Sequence, residues 1–264
     1  MKIKLVACDL DGTLLTDELK ISRRTAETIR RAQAAGVKFC IATGRMFRSA
    51  LRFAEELALD TPLIAYNGAL LKDVRTGEVY FSQPMELTAA REVLDFARNN
   101  GLYVQKYIDD QLYVEKINEQ AASYSYKVRV EAKEQGPDFY RLDTPPDKLL
   151  FIVEPARRQA IIEELLGLFA GRASITSSSP RFVEVLNHNV SKGAALCLLA
   201  RLFSLNPEEV MACGDSHNDL EMLTYAGVSV AMGNAEAPVK SAADFVTAGN
   251  EADGVALALE KFVL

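Results

Sequence analysis

Residues 8–16, CDLDGTLLT, place two carboxylates, Asp9 and Asp11, directly after an apolar run over residues 3–8. A short continuous apolar run is typical of a strand that is buried on both faces of a parallel sheet. Two carboxylates at the end of a buried strand need a partner that neutralises their charge, or they serve a chemical function. A calcium loop matches them only in part, because Ala7 would occupy the first ligand position and a strand would replace the entering helix. An ordinary capped turn also stays open, since Asp and Gly are common turn residues.

The two flanks of the chain alternate between strand and helix patterns. Before residue 84, strands are predicted over 3–8, 37–42 and 62–66, separated by helices over 22–35 and 46–59. After residue 186, a helix that Ser191 caps is followed by strands over 209–213, 228–232 and 245–247, again with helices between and after them. Such alternation predicts right-handed crossovers and one parallel sheet. We therefore predict an α/β fold with a Rossmann-like parallel-sheet core formed by residues 1–83 and 187–264.

The middle of the chain, residues 84–186, has a different pattern. Seven of the nine tyrosines fall between residues 80 and 140. A helix followed by a two-stranded hairpin occurs twice, over 86–115 and over 154–186. Two such units predict an antiparallel sheet with helices on one face. Residues 84–186 are therefore predicted to be an inserted second domain.

Composition limits the classes of partner and location. Hydrophobic residues make up 49% of the chain and charged residues 25%, and the formal net charge is -6. A negative charge argues against a nucleic-acid partner, which favours a basic face. No apolar stretch reaches the roughly 18 residues that a membrane span needs, and the first residues lack a signal-peptide pattern. The four cysteines show no metal-ligand spacing and fit reduced thiols. We expect a cytoplasmic protein without membrane or nucleic-acid partners, as a monomer or weak homo-oligomer.

Polar motifs follow the predicted parallel strands. Thr43-Gly44-Arg45 ends the second strand, and Gly214-Asp215-Ser216-His217-Asn218-Asp219 ends the first strand after the insert. Each motif alone has an ordinary explanation, as a helix cap or as acids that favour a helix dipole, and Lys192 alone is most simply a solvated charge. Ligands of open α/β sheets, however, bind at the carboxyl ends of the strands. We therefore expect all these groups to converge on one crevice.

So many carboxylates in one crevice would repel one another unless a cation lay among them. An all-oxygen set of ligands suits Mg²⁺, which also binds phosphate oxygens. Lys192 and the turn at Thr43, predicted to open a helix, would supply the anion-binding side of the crevice. This combination indicates phosphoryl transfer.

The order DLDGT, strand-end Thr-Gly, Lys and GDxxND resembles the haloacid dehalogenase (HAD) superfamily of phosphohydrolases. The doubled helix-hairpin insert is similar to the larger α/β cap of the Cof-type (subfamily IIB) sugar phosphatases. Flanking pieces fit as well, namely YNGA at 66–69, FVEV at 182–185, SKG at 191–193 and DGV at 253–255. The resemblance covers essentially the whole chain, and it implies an α/β HAD core with an inserted cap.

The resemblance implies roles for the motif residues. Asp9 would be the nucleophile that forms an aspartyl-phosphate, with Lys192 beside it. Asp11 would protonate the leaving oxygen and then deprotonate the attacking water. For that it must start protonated, which its charged neighbours were expected to favour. Gly12 would permit the sharp turn that lets Asp11 move.

The same resemblance implies a metal and a phosphoryl site. Mg²⁺ would be held by Asp9, the Asp11 carbonyl and Asp215, with Asp219 as a further ligand or behind them. The groups expected to bind the phosphoryl group are the Leu10 N–H, Thr43, Gly44, Lys192 and Asn218. Arg45 and Asn67 are candidates for substrate contact, although Arg45 could equally be a solvated residue.

The leading hypothesis is a Mg²⁺-dependent phosphatase of small phosphorylated metabolites, such as sugar phosphates. A phosphomutase is the alternative on the same fold, because the aspartyl-phosphate can be passed to a sugar instead of water. A non-catalytic protein that binds a phosphorylated metabolite is a third hypothesis, which the intact acids and Lys192 argue against.

Overall fold

The computed structural model describes residues 2–264. The chain divides into two compact units. The core unit comprises the residues up to Phe81 together with Ser191–Leu264, and the insert unit comprises Ser82–Val190. No helix within residues 2–264 has both the length and the apolar character needed to cross a bilayer.

The elements alternate as the flanking patterns predict. The strands are β1 Leu5–Cys8, β2 Lys38–Ile41, β3 Leu63–Ala65, β4 Leu70–Lys72, β5 Val79–Ser82, β6 Val104–Ile108, β7 Gln111–Val114, β8 Ala132–Glu134, β9 Lys148–Ile152, β10 Ala173–Thr176, β11 Phe182–Asn187, β12 Val210–Gly214, β13 Val228–Ala231 and β14 Phe245–Val246. The helices are α1 Arg23–Ala34, α2 Phe47–Glu56, α3 Leu87–Asn99, α4 Glu119–Val128, α5 Pro155–Phe169, α6 Lys192–Leu202, α7 Leu220–Tyr225, α8 Ala237–Ala242 and α9 Gly254–Phe262.

The core unit contains a parallel sheet in the order β14-β13-β12-β1-β2. β1 lies between β2 and β12, with Leu5 in register with Lys38 on one side and Val210 on the other. All four β1 residues are buried, as expected of an inner strand with covered faces. The predicted parallel sheet is confirmed, and it brings the end of β1 beside the end of β12.

The strand predicted over 62–66 does not extend this sheet. β3 meets the chain just past β2 through an isolated parallel bridge between Ala42 and Ile64, beside which the Thr43 N–H donates to the Ile64 carbonyl at 2.8 Å. It pairs instead antiparallel with β4 in a separate sheet of order β3-β4-β5. The chain reverses between β3 and β4 in a short turn where Tyr66 and Asn67 both adopt positive φ, and this reversal ends the parallel crossover pattern.

The insert unit contains a six-stranded sheet in the order β10-β11-β9-β6-β7-β8. Both predicted helix-hairpin units are present, and four of the five strand pairs are antiparallel. β7 and β8 are parallel, because α4 carries the chain back between them. The sheet is therefore mixed rather than purely antiparallel.

Helices lie against both faces of that sheet. α3 and α5 pack on one face, where Val93 and Leu165 share a buried apolar cluster with Phe151 and Val183. α4 lies against the other face, where the Tyr124 ring meets the Phe182 ring edge-on at 5.8 Å. Neighbouring residues of a strand point to opposite faces of the sheet. Phe182 therefore lies on the face of α4, and Val183 lies on the face of α3 and α5. The expectation of helices on a single face holds for α3 and α5 but not for α4.

Candidate active site

Asp9 and Lys192 meet in the buried interior of the core unit. The Lys192 Nζ lies 2.5 Å from Asp9 Oδ1 and 2.7 Å from Asp219 Oδ1. Asp9 is carried at the end of β1, where its N–H donates to the Cys213 carbonyl of β12 at 3.0 Å. Lys192, which on its own is most simply a solvated charge but is expected to join the converging motifs, is a buried ammonium between two carboxylates.

Glycines allow the Lys192 helix to approach the site. α6 begins behind the N-cap Ser191, whose hydroxyl accepts from Ala194 N–H at 3.1 Å. Gly68 has φ 100°, and a Cβ there would collide with the Ser191 carbonyl. A Cβ on Gly193 would meet the Glu221 backbone at 2.6 Å. The close approach of these backbones explains why glycines stand in the YNGA and SKG stretches.

Three carboxylates form an acidic cluster here. One oxygen from each of Asp9, Asp215 and Asp219 lies within 4.8 Å of the others. Burial raises the pKa of Asp9 well above its usual range; Lys192 opposes this, while Asp219 and Asp215 add to it. Burial and the charge of Asp219 raise the pKa of Asp215 to about 6, against hydrogen bonds from Thr13 and Ser216. The cluster thus holds more negative charge than its surroundings neutralise.

Lys192 carries the positive charge of this cluster. Burial disfavours the ammonium, but the carboxylates of Asp219 and Asp9 outweigh that effect and raise the Lys192 pKa. One ammonium still leaves a surplus when three carboxylates are ionised. A divalent cation fits the remaining charge and the all-oxygen donor set.

Asp219 organises the cluster from behind. Its Oδ2 accepts from the N–H groups of Asp215 at 2.9 Å and Ser216 at 3.0 Å, while its Oδ1 binds Lys192. A Cβ on Gly214 would lie 2.5 Å from the Asp219 Cβ, so glycine is needed there. Both Asp219 oxygens are therefore engaged with protein donors, whereas Asp215 is bound by the hydroxyls of Thr13 and Ser216.

Gly12 brings the loop after β1 against Asp215. It adopts φ 81°, and a Cβ at this position would lie 2.6 Å from Asp215 Oδ2. The next residue, Thr13, donates its hydroxyl to Asp215 Oδ1 at 2.8 Å. Thr13 belongs to the DLDGT motif, but the motif alone does not predict this contact of its hydroxyl.

Asp11 faces a guanidinium. Arg45 donates from Nε to Asp11 Oδ2 at 2.7 Å and from Nη2 to Oδ1 at 2.6 Å. Arg45 is 5% exposed, so the view of it as a solvated first-turn residue is wrong. Arginine offers only donors, so both oxygens of Asp11 accept from it. Arg45 is a cation and favours the carboxylate, against the expectation that the charged neighbours of Asp11 favour its protonated form.

Thr43 lies in a buried turn and not at a helix N-terminus. Its hydroxyl accepts from Arg45 N–H at 3.1 Å, and its own N–H donates to the Ile64 carbonyl at 2.8 Å. α2 begins only at Phe47, with Met46 as N-cap. The expected helix dipole at Thr43 is therefore wrong, because the turn through Gly44 separates Thr43 from the helix.

Asn218 presents an unpaired oxygen. Its Nδ2 donates to Asn67 Oδ1 at 2.9 Å, and its buried Oδ1 has no hydrogen-bond partner. Asn67 therefore fixes the orientation of the Asn218 amide, a role that its place in YNGA did not reveal.

Leu10, whose N–H is expected to bind phosphate, is fully buried between the two aspartates.

A family model described as haloacid dehalogenase-like hydrolase matches residues 6–259. This chain belongs to that family of hydrolases, as its motifs predict. Among the relatives, the 5-amino-6-(5-phospho-D-ribitylamino)uracil phosphatase YcsE of Bacillus subtilis is 35% identical over 262 residues, covering 99% of this chain and 96% of that protein.

Solved structures agree with the fold. A haloacid dehalogenase-like hydrolase from Bacteroides thetaiotaomicron superposes with a TM-score of 0.88 at 30% identity, covering 98% of this chain and 99% of that one. The HAD subclass IIB sugar phosphatase BT4131 superposes with a TM-score of 0.86 at 26% identity, covering 98% of each chain. The predicted α/β fold with a parallel core and its IIB-type likeness are confirmed.

Proposed function

We propose that this chain is a Mg²⁺-dependent phosphatase of small phosphorylated metabolites that works through an aspartyl-phosphate. The observation that carries the proposal is the cluster in which Lys192 bridges Asp9 and Asp219 while Asp215 adds a third carboxylate. A buried aspartate beside a fixed ammonium, with surplus negative charge next to it, suits attack on a phosphoryl group that arrives with a cation.

Asp9 is the proposed nucleophile. One of its carboxylate oxygens bonds to phosphorus while the ester oxygen of the substrate leaves with its electron pair. Asp11 gives that oxygen a proton, and in the second half-reaction takes one from the water that cleaves the aspartyl-phosphate. Because Arg45 holds Asp11 by both oxygens, the carboxyl group must part from Arg45 to carry the proton.

Other residues bind the phosphoryl oxygens in this proposal. Lys192 neutralises their charge, and the Thr43 hydroxyl and the Gly44 and Leu10 N–H groups donate to them. Asn218 can donate only the second hydrogen of its Nδ2, because the first is given to Asn67 Oδ1. The Asn67 amide keeps Asn218 oriented. Fixed donors cost no reorganisation when charge develops on the transferring group, which is the main source of catalysis in phosphoryl transfer.

The proposed metal ligands are the carboxylates of Asp9 and Asp215 and the carbonyl of Asp11, with Asp219 holding this set from behind. When bound there, Mg²⁺ would neutralise phosphate charge and orient the substrate. Two hydroxyls donate to Asp215, and two backbone N–H groups and Lys192 donate to Asp219, so these carboxylates are held in place without a metal.

The proposed substrates are phosphate esters of sugars or similar polyols. The B. subtilis relative is named for a phosphoribityl compound and BT4131 for sugar phosphates, and both align over nearly the whole chain. The proposed location is the cytoplasm, which the four free cysteines suit, and the proposed state is a monomer or weak homo-oligomer.

The test is hydrolysis of p-nitrophenyl phosphate with Mg²⁺ and with a chelator. We expect turnover only with Mg²⁺, and a loss of about 10³-fold or more for Asp9→Asn, because an amide cannot form the aspartyl-phosphate. Asp60→Asn, which changes an exposed aspartate of the same unit, should keep the wild-type rate. Near wild-type turnover of Asp9→Asn with an intact circular dichroism spectrum would show that Asp9 is not the nucleophile.

A further inference from the structure

Two asparagines from the C-terminal part of the core unit donate hydrogen bonds to the loop that follows β1. Asn234 stands just after β13, and its Nδ2 donates to the Gly12 carbonyl at 2.8 Å. Asn250 donates from Nδ2 to the Leu15 carbonyl at 3.0 Å and to Asp17 Oδ1 at 3.1 Å. Neither asparagine belongs to the four motifs.

The two asparagines are also joined to each other. Asn250 N–H donates to Asn234 Oδ1 at 3.0 Å. The Asn234 side-chain oxygen therefore accepts from the Asn250 backbone, and its nitrogen donates to the loop after β1. This arrangement fixes the amide's orientation, because reversing it would set two donors against each other at Asn250.

The carbonyl that Asn234 holds lies one peptide from Asp11. Gly12, with φ 81°, is the residue of this loop with the fewest conformational restrictions. The peptide group is planar, so a bond to the Gly12 carbonyl sets the plane of the Gly12–Thr13 peptide. Thr13 then reaches Asp215, and Asp11 is held on the other side of the same glycine.

The turn that carries Asn234 does not depend on its side chain. Gly233 N–H donates to the Ala248 carbonyl at 3.0 Å, and Ala235 N–H donates to the Met232 carbonyl at 2.9 Å. Glu236 N–H donates to the Asp215 carbonyl at 3.2 Å. The side chain of Asn234 is solvent-exposed, so its removal should leave the fold in place.

We infer that Asn234 is a positioning residue for Asp11, which acts by clamping the Gly12 carbonyl. The inference rests on the proposed function, in which Asp11 moves a proton to the leaving group. Without the clamp, Gly12 can rotate and Asp11 spends less time where the leaving oxygen departs. An offset of the order of 1 Å in a catalytic group costs about 10²-fold in rate.

The experiment compares two leaving groups in the wild type and in Asn234→Ala. An alkyl phosphate needs a proton from the acid, whereas p-nitrophenolate leaves without one. We expect kcat/KM to fall about 10-fold to 100-fold for glycerol phosphate and less than about 3-fold for p-nitrophenyl phosphate. Asp11→Asn should show the same selective pattern more strongly, and the melting temperature of Asn234→Ala should stay within about 2 °C of the wild type.

Asn206→Ala is the matched control, because Asn206 is an exposed loop asparagine that precedes β12 at the other end of the sheet. It should leave both rates unchanged. An Asn234→Ala enzyme with an unchanged ratio of the two rates, or with an equal loss on both substrates, would overturn the positioning role. A wild-type protein that hydrolyses neither ester with Mg²⁺ would instead refute the proposed function itself.

Discussion

The core unit and the insert unit each bury an ammonium against carboxylates, but in different proportions. In the core unit Lys192 lies among Asp9, Asp215 and Asp219. In the insert unit Lys148 pairs with Glu184 at 3.0 Å, with side chains that are 3% and 1% exposed. Ser178 adds a hydroxyl donor to Glu184.

The difference lies in the sum of the charges. Lys148 and Glu184 bring one positive and one negative charge together, so their interaction offsets part of the cost of taking both charges out of water. The core cluster has three carboxylates to one ammonium, and burial, together with the charge of Asp219, raises the pKa of Asp215 to about 6 and so opposes its ionisation. A buried pair of opposite charges is neutral without any further ion. A buried cluster with surplus carboxylate charge is instead stabilised by a cation that the protein does not itself supply.

The largest expected effect comes from removing the ammonium in each unit. Lys192→Met and Lys148→Met should each lower the free energy of unfolding by about 3–5 kcal/mol in chelator, because each leaves buried carboxylate charge unpaired. Urea unfolding measures both. Mg²⁺ should restore a large part of the loss in Lys192→Met and almost none in Lys148→Met. An equal response of the two variants to Mg²⁺ would remove the distinction between the units.

A smaller effect is expected from the metal itself. If the proposed site binds Mg²⁺ in the folded state only, Mg²⁺ at 100 times its dissociation constant should raise the free energy of unfolding of the wild type by about 2.7 kcal/mol. Thermal unfolding with Mg²⁺ and with chelator measures the difference. Asp215→Asn should lose most of it, while Glu184→Gln should keep it; stabilisation that survives in Asp215→Asn would place the metal elsewhere.

The smallest effect is a pH dependence of the same binding. Asp215 has its pKa raised to about 6, so below that pH a metal must displace a proton, and Mg²⁺ affinity should fall about tenfold per pH unit. Calorimetric titration between about pH 5 and pH 7 tests this. Without metal, the folded state holds this proton more tightly than the unfolded chain. Stability therefore decreases as pH rises from about 4 to about 6, and an affinity that is flat over this range would contradict the assignment.

Most of the core fold was predictable because its signals are local. Continuous apolar runs such as Leu5–Cys8 mark inner parallel strands, and Ser191 is a true N-cap. In the insert, α4 was missed because its sequence EQAASYSYKV mixes polar and aromatic residues with little helical periodicity. β9, with the sequence KLLFI, is not predicted, because an apolar run of five residues cannot be distinguished from part of a buried helix by its periodicity.

The site was predictable in its residue types but not in its contacts. The acids and Asn218 follow from motifs at strand ends, and Lys192 from its place at the start of the helix after the insert. The pairing of Arg45 with Asp11 and the contact of Asn67 with Asn218 join residues that are far apart in the chain, and no local pattern encodes them. The clamp of Asn234 on Gly12 likewise depends on where two loops meet.

The register of β1 with β12 sets the timing of assembly. Leu5 pairs with Val210, and Asp9 finds Lys192 and Asp219 only after most of the chain has been made. At about 5–20 residues per second, the ribosome needs about 10–40 s to make the roughly 200 residues between them. The insert, which has its own apolar cluster, is synthesised within that interval. β1 can therefore pair with β2 early, whereas Lys192 and Asp219, which complete the cluster around Asp9, are synthesised only after the insert.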